Sequence, residues 1–204
     1  MKNKKYLIIL ILKILESHTD SENRLTQVSI ARQISEIYPC DRKTVGRNIK
    51  FLQKIGYPII KTSKGFYMDK SELVRLALEA REMAHAPYSH FKVGAALLTE
   101  DGKVYKGCNI ENASYTPTNC AERTAFFKAI SEGEKRFSSI AIVGGKDSAD
   151  SLDYCAPCGV CRQVMMEFCD PKTFEIIVAK SPSEYKVMTL EEMFPMGFGP
   201  GNLL

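Results

Sequence analysis

The chain has 204 residues, 45% of them apolar and 25% charged, with a net charge of +4; this composition excludes an intrinsically disordered chain and a collagen-like repeat. The charge is unevenly divided, with 14 Lys and Arg against 6 Asp and Glu in residues 1–70 (net +8) and 14 against 18 in residues 71–204 (net −4). The asymmetry predicts two domains, 1–70 and 71–204, of which only the first suits a polyanionic partner.

Lys2, Lys4 and Lys5 followed by the apolar run 6–12 imitate a secretion signal. Lys13 interrupts the run, no small-residue cleavage site follows, and the run is far short of the roughly 18 to 20 residues that span a bilayer. A core helix is the better reading, because Leu7, Leu10, Ile11, Ile14 and Leu15 recur on one helical face. Seven cysteines, an odd number without a secretion signal, predict a cytoplasmic protein with no membrane association and thiols used for metal or packing.

After a loop at 20–23, Val28, Ala31, Ile34 and Ile37 keep a helical period until Pro39. Asp41 is positioned to cap a third helix, closed by Gly56 and Pro58. Stepping 100° per residue along it puts Val45, Ile49 and Leu52 on one side. The opposite side reads as uniformly basic, with Lys43, Arg47, Lys50 and Lys54 in a stripe and Arg42, Thr44 and Asn48 beside it. Ile59 to Lys61, the turn residues Thr62, Ser63, Lys64 and Gly65, then Phe66 to Met68 predict a strand, a turn and a strand.

The segments VSIARQI and DRKTVGRNIKFLQKIGYPI resemble the winged helix-turn-helix domains of bacterial regulators. The resemblance implies a small, mainly α domain whose third helix enters the major groove of double-stranded DNA while the wing touches phosphate. Arg42, Lys43, Thr44, Arg47, Asn48, Lys50, Lys54 and Lys64 are then the DNA contacts. A solvated basic face or a protein-interaction module is the alternative. Gly46 departs from a good helix, at a cost of about 1 kcal/mol against Ala unless close packing requires it.

In the second domain, Ser71 precedes the periodic run Leu73, Leu76, Ala77, Ala80, Met83, Ala84, which predicts a capped helix. Strands at 91–98 and 103–110 flank the turn signal Asp101-Gly102. Helix at 120–131, strand at 139–143, helix at 158–168, and strands at 174–179 and 185–188 follow. The alternation predicts an α/β sheet covered by helices.

Cys158 and Cys161 fall in the first turn of one helix and Cys120 opens another. Helix N-termini favour thiolates. Three thiolates with an open fourth position are the pattern of catalytic zinc, and Glu122 stands where a carboxylate could move protons beside that position. Adding Cys155 would instead allow a closed four-thiolate structural site. Cys40, Cys108 and Cys169 are read as buried small apolar residues.

Cys120-Ala121-Glu122 with Pro157-Cys158-Gly159-Val160-Cys161, set among HAPYSHFKVGAALLTEDGKVYKGCNIENASY, NCAERTAFFKAISEG, PCGVCRQVMMEF and MFPMGFGP, resembles the zinc-dependent cytidine deaminase family, across almost all of residues 75–198. The resemblance implies a three-layer mixed sheet covered by helices and a homotetramer. It implies Zn2+ on Cys120, Cys158 and Cys161, and Glu122 as the proton shuttle for hydrolytic deamination of cytidine or deoxycytidine in pyrimidine salvage. Asn109 and Glu111 match sugar-hydroxyl binders and Phe91 the aromatic packed on the base. Ala121 offers backbone groups, and Tyr115 and Phe198 match residues of a site shared between subunits. Arg123 matches an arginine donating to the ligand sulfurs. A nucleoside-sensing regulator with a deaminase-like ligand domain is the competing expectation.

Overall fold

The computed structural model describes residues 5–19, 23–55, 57 and 59–203. Lys2 and Lys4, loop residues 20–22, and Gly56 and Pro58 therefore lie outside the described residues. The chain divides into two compact units, Met1–Lys70 and Ser71–Leu204.

The first unit holds helices α1 (Lys5–His18), α2 (Gln27–Ser35) and α3 (Arg42–Lys54) and the antiparallel strands β1 (Ile59–Thr62) and β2 (Gly65–Met68). Its core draws Leu7, Ile11, Leu12 and Leu15 from α1, Ile30, Ala31 and Ile34 from α2, and Val45, Ile49 and Leu52 from α3. Leu10 and Ile14, expected on the core face of α1, are half-buried. The α2 expectation needs a larger correction. Its helix stops at Ser35, and Val28 and Ile37 are exposed while Ile30, which the period omitted, is buried. Two oxygens start the helices, since the Thr26 hydroxyl accepts from the Ser29 amide at 3.1 Å and the Asp41 carboxylate from the Thr44 amide at 2.7 Å. At Gly46 a Cβ would stand 2.7 Å from the Gln27 side-chain amide on α2, the far end of a flexible side chain that can turn aside, so close packing does not require the glycine. Gly65 combines a φ of +143° with close approach of the Leu25 carbonyl, whose residue pairs through both backbone groups with Phe66.

The second unit is a five-stranded mixed sheet in the order β4-β3-β5-β6-β7, with β3 at Phe91–Thr99, β4 at Val104–Cys108, β5 at Phe137–Lys146, β6 at Glu175–Ser181 and β7 at Glu184–Thr189. Only the β5–β6 pair is parallel. That pair needs a crossover, supplied by the connection containing α6 (Gly159–Phe168). Strand alternation sorts the side chains into two cores. Ala96, Ala141, Val143, Ile177 and Ala179 meet Leu73, Val74 and Ala77 of α4 (Ser71–Glu82). On the other face Ala95, Leu97, Ile140, Ile142, Ile176 and Val178 meet α5 (Ala121–Ser131), α6 and Leu190 of the short α7 (Leu190–Met193). Three layers result.

Phe126 of α5 anchors the second core, its ring 5.0 Å from Phe137 and 6.1 Å from Phe174. Burial of one such ring stabilises by about 3 kcal/mol. Strand β5 runs longer than the 139–143 expected, because its flanks at Phe137 and Gly144 are also covered. Strand β4 stops at Cys108, short of 110, and Ile110 makes only isolated bridges, to His85 and Asn119. Helix α4 begins at Ser71 itself, and Met83, expected on its apolar face, lies past its end and is exposed.

Candidate active site

Helices α5 and α6 are each preceded by a cysteine in the N-cap position, Cys120 and Cys158, with extended backbone and no side-chain capping bond. Ordinary caps place Ser, Thr, Asp or Asn there to hold the first-turn amides. Cysteine leaves its sulfur free, in the favourable field of a helix N-terminus. Cys161 lies one turn into α6 and is buried. The Cys120, Cys158 and Cys161 sulfurs all lie within 4.8 Å of one another, with Cys120 to Cys158 at 3.8 Å and Cys158 to Cys161 at 3.5 Å. This is a donor set of soft sulfurs with Cys158 exposed at its rim, and it fits a tetrahedral zinc site that keeps one open position.

Charge around the sulfurs agrees with that fit. The Arg123 guanidinium donates to Cys120 Sγ at 3.6 Å, and its Nε is buried with no hydrogen-bond partner among the described residues. A half-buried cation of this kind is favoured by negative charge beside it. Two of the thiols shift in opposite directions. A hydrogen bond from Cys161 and then one from Arg123 pull Cys120 down to about 5. Cys161 moves the other way, raised by that same hydrogen bond and by burial. Glu122, in the first turn of α5 and only 4% exposed, is pushed up to about 7 by desolvation. A carboxyl so placed exchanges its proton near neutral pH.

Cys155 stays outside the sulfur group. Its Sγ lies where a Cβ on Gly144 would come within 2.7 Å, and burial raises its thiol to about 11, so the four-thiolate alternative finds no support in the geometry. Cys40, Cys108 and Cys169 also stand apart from the group, half-buried instead of buried.

Asn109 and Glu111 are joined to the start of β3. The Asn109 side chain accepts from the Val93 amide at 2.8 Å and donates to the Phe91 carbonyl at 2.9 Å. Glu111 Oε2 accepts from the Tyr88 and Ser89 amides at 2.9 and 3.2 Å, and the Ser89 hydroxyl donates to Oε1. Phe91, Asn109 and Glu111 are thereby held as one cluster. Phe91 keeps 39% of its surface exposed; Phe198 and Tyr115 are more open still. Ala121 is fully buried between Cys120 and Glu122.

Ser89 and Arg162 are two residues that spacing did not single out. Arg162 Nε donates to the Pro157 carbonyl and Nη1 to the Met193 carbonyl, both at 2.8 Å, which ties the loop entering Cys158 to the end of α7. Its place directly after Cys161 was the available signal.

On α3, Arg42, Lys43, Arg47, Lys50 and Lys54 are exposed and Thr44 and Asn48 half-buried. Lys64 is exposed in the β1–β2 turn. Arg47 donates to the Thr44 hydroxyl at 3.1 Å and Asn48 to the Thr44 carbonyl at 2.8 Å. The face is not uniformly basic, because Phe51 stands exposed on it, four residues after Arg47 and three before Lys54.

Residues 68–177 match the family described as the cytidine and deoxycytidylate deaminase zinc-binding region. The chain is 45% identical over 136 residues to the cytidine deaminase of Sporosarcina psychrophila, covering 67% of this chain and 96% of that protein. It is 48% identical over 131 residues to the cytidine deaminase of Halalkalibacterium halodurans, covering 64% of this chain and 95% of that protein. The crystal structure of cytidine deaminase from Burkholderia pseudomallei superposes with a TM-score of 0.58 at 47% identity, covering 64% of this chain and all of that one. About a third of this chain thus has no counterpart in any of the three. With this match and a three-sulfur group in the zinc-binding region, the chain belongs to the cytidine deaminase family of zinc enzymes.

Proposed function

We propose that the second unit hydrolytically deaminates cytidine and deoxycytidine, to uridine and deoxyuridine, in pyrimidine salvage. The observation that carries the proposal is the meeting of two helix N-termini in a three-sulfur group with a buried carboxyl, Glu122, two residues after the first sulfur. Cys120, Cys158 and Cys161 would hold the zinc. Bound there, it would supply the Lewis acidity that makes water nucleophilic near neutral pH. Glu122 protonates N3 of the cytosine ring and returns a proton to the amino group leaving C4. Arg123 offsets the charge of the thiolates through its contact with Cys120.

Phe91 packs on the base, the Ala121 backbone meets its edge, and Asn109 and Glu111 receive the sugar hydroxyls. Glu111 selects a free nucleoside, because a carboxylate repels the phosphate that a polynucleotide carries at the same place. The exposure of Tyr115 and Phe198 suits a homotetramer in which these side chains complete a neighbour's site. Reduced thiols suit the cytoplasm, and no helix among the described residues is long and apolar enough to cross a membrane.

The test is to follow the loss of ultraviolet absorbance as cytidine becomes uridine, with zinc measured on the same sample. Turnover with about one zinc per chain is the expected result, on a three-ligand site for one ion. Absence of turnover in zinc-loaded protein would remove the proposal.

For the first unit we propose a winged helix-turn-helix that binds double-stranded DNA, with Arg42, Lys43, Thr44, Arg47, Asn48, Lys50 and Lys54 of α3 and Lys64 of the turn as contacts. Support comes from the net charge of residues 1–70, the exposed cations of α3 and the hairpin that follows it. Four phosphate contacts would make log K fall against log salt concentration with a slope of about −3.6 per bound unit. Fluorescence anisotropy with a duplex oligonucleotide at several salt concentrations measures it, and a flat response would point to a protein-binding module.

A further inference from the structure

We infer that Ser89 is the positioning residue for sugar recognition: its hydroxyl aims the Glu111 carboxylate. The inference rests on the reading of Glu111 as the acceptor of a sugar hydroxyl. An ionised carboxylate offers about four acceptor positions. Both positions on Oε2 are taken by the backbone amides of Tyr88 and Ser89. The Ser89 hydroxyl donates to Oε1, which leaves one position on that oxygen for an incoming donor.

A single remaining acceptor flanked by fixed bonds selects a neutral hydroxyl in one orientation, and hydrogen bonds to the charged form hold the Glu111 carboxyl below its ordinary range, the Ser89 hydroxyl first among them. The same Ser89 oxygen accepts from the Phe91 amide at 3.1 Å. That bond fixes the direction of the Ser89 hydroxyl, while the backbone at Phe91 is held without Ser89 by the Asn109 side chain, at the Phe91 carbonyl and the Val93 amide.

The loop is built to keep that hydroxyl in place. His90, next in the chain, has a φ of +54°, in the left-handed region that non-glycine residues rarely adopt. Its amide donates to the Ala86 carbonyl at 3.1 Å and its carbonyl accepts from the Asp147 amide at 2.9 Å. Asp147 is itself paired with Lys92 at 2.8 Å. The turn is anchored on both sides of Ser89, so removal of the hydroxyl releases Oε1 of Glu111 while the two backbone amides keep Oε2 and the loop in place.

The test is steady-state kinetics of the full chain with cytidine and with 2′,3′-dideoxycytidine, which lacks the 2′- and 3′-hydroxyls and keeps the 5′-hydroxyl. Ser89→Ala is expected to raise KM for cytidine about tenfold with kcat nearly unchanged, and to leave KM for the dideoxy substrate within about twofold, a split that belongs to a lost ground-state contact. Ser89→Thr, which restores a hydroxyl, is expected to bring KM back. In a Glu111→Ala background Ser89→Ala should add nothing further. Equal KM increases on both substrates, a fall in kcat, or additive effects in the double variant would overturn the inference and leave Ser89 a loop residue. If Glu111→Ala raises KM for cytidine but Ser89→Ala does not, the Ser89 inference alone falls. If Glu111→Ala treats both substrates alike, the reading of Glu111 falls and takes this inference with it.

Discussion

Glu122→Ala is expected to retain its zinc and lose deamination, with kcat reduced at least about a thousandfold, toward the upper range for removal of a general acid–base. The separation of the two readouts follows from the geometry. The metal group is made of the Cys120, Cys158 and Cys161 sulfurs, and Glu122 is not one of its donors. Its carboxyl is buried against them and shifted by desolvation to a range where it both takes and gives a proton. Alanine leaves the α5 N-terminus and the sulfur group in place, since Cys120 has its extended N-cap backbone and its bond from Arg123 independently of the Glu122 side chain. Zinc content by mass spectrometry and cytidine turnover on the same preparation read the two properties. A variant that kept turnover would end the proposed mechanism. A variant that lost zinc together with turnover would show Glu122 to be part of the metal site.

The three-sulfur group and its neighbouring carboxyl were readable in the sequence because their placement is local: a cysteine before each of two helices, a second cysteine a turn later, and a carboxyl at fixed offset. Only the meeting of the two helices required the fold, and the family resemblance anticipated that. The helical face of α3 was readable for the same reason, with Val45, Ile49 and Leu52 buried as the 100° step requires. The reading failed at a helix end and at contacts remote in sequence. Ile37 kept the period of α2 but lies beyond the helix end at Ser35, in a turn whose Ile37 and Tyr38 amides both return to the Ile34 carbonyl. Phe51 falls on the basic side by the same 100° step, so its exposure was legible and the stripe was read too uniformly. Ser89 carried no signal at all, since its partner, Glu111, comes near only when β3 pairs with β4 and the segment before β3 pairs with residues 109–111.

Gly107→Ala is expected to destabilise the second unit by about 3 kcal/mol, lowering its melting temperature by about 10 °C, and to reduce deamination and zinc retention together. Gly107 is buried in the edge strand β4, directly beneath the start of α5. A Cβ there would fall 2.3 Å from the Ala121 carbonyl oxygen and 2.5 Å from the Ala125 amide. Both are helix backbone, which has no rotamer through which to yield, so the first two turns of α5 must move away from the sheet. Those turns begin at Cys120 and carry Glu122 and Arg123; the displacement therefore reaches one sulfur of the group, the carboxyl proposed to carry protons and the cation beside the sulfurs at once. Gly159→Ala provides the contrast. Gly159 lies between Cys158 and Cys161, closer in sequence to the metal group, yet a Cβ there meets nothing within 4 Å, and the change should stay within about 0.5 kcal/mol. Thermal unfolding and zinc content of the two variants side by side test the claim that contact between strand and helix backbones, and not proximity to the ligands in the chain, holds the site together. If Gly107→Ala melted like the parent and kept its zinc, α5 would have to be seated on the sheet with slack that these distances do not allow.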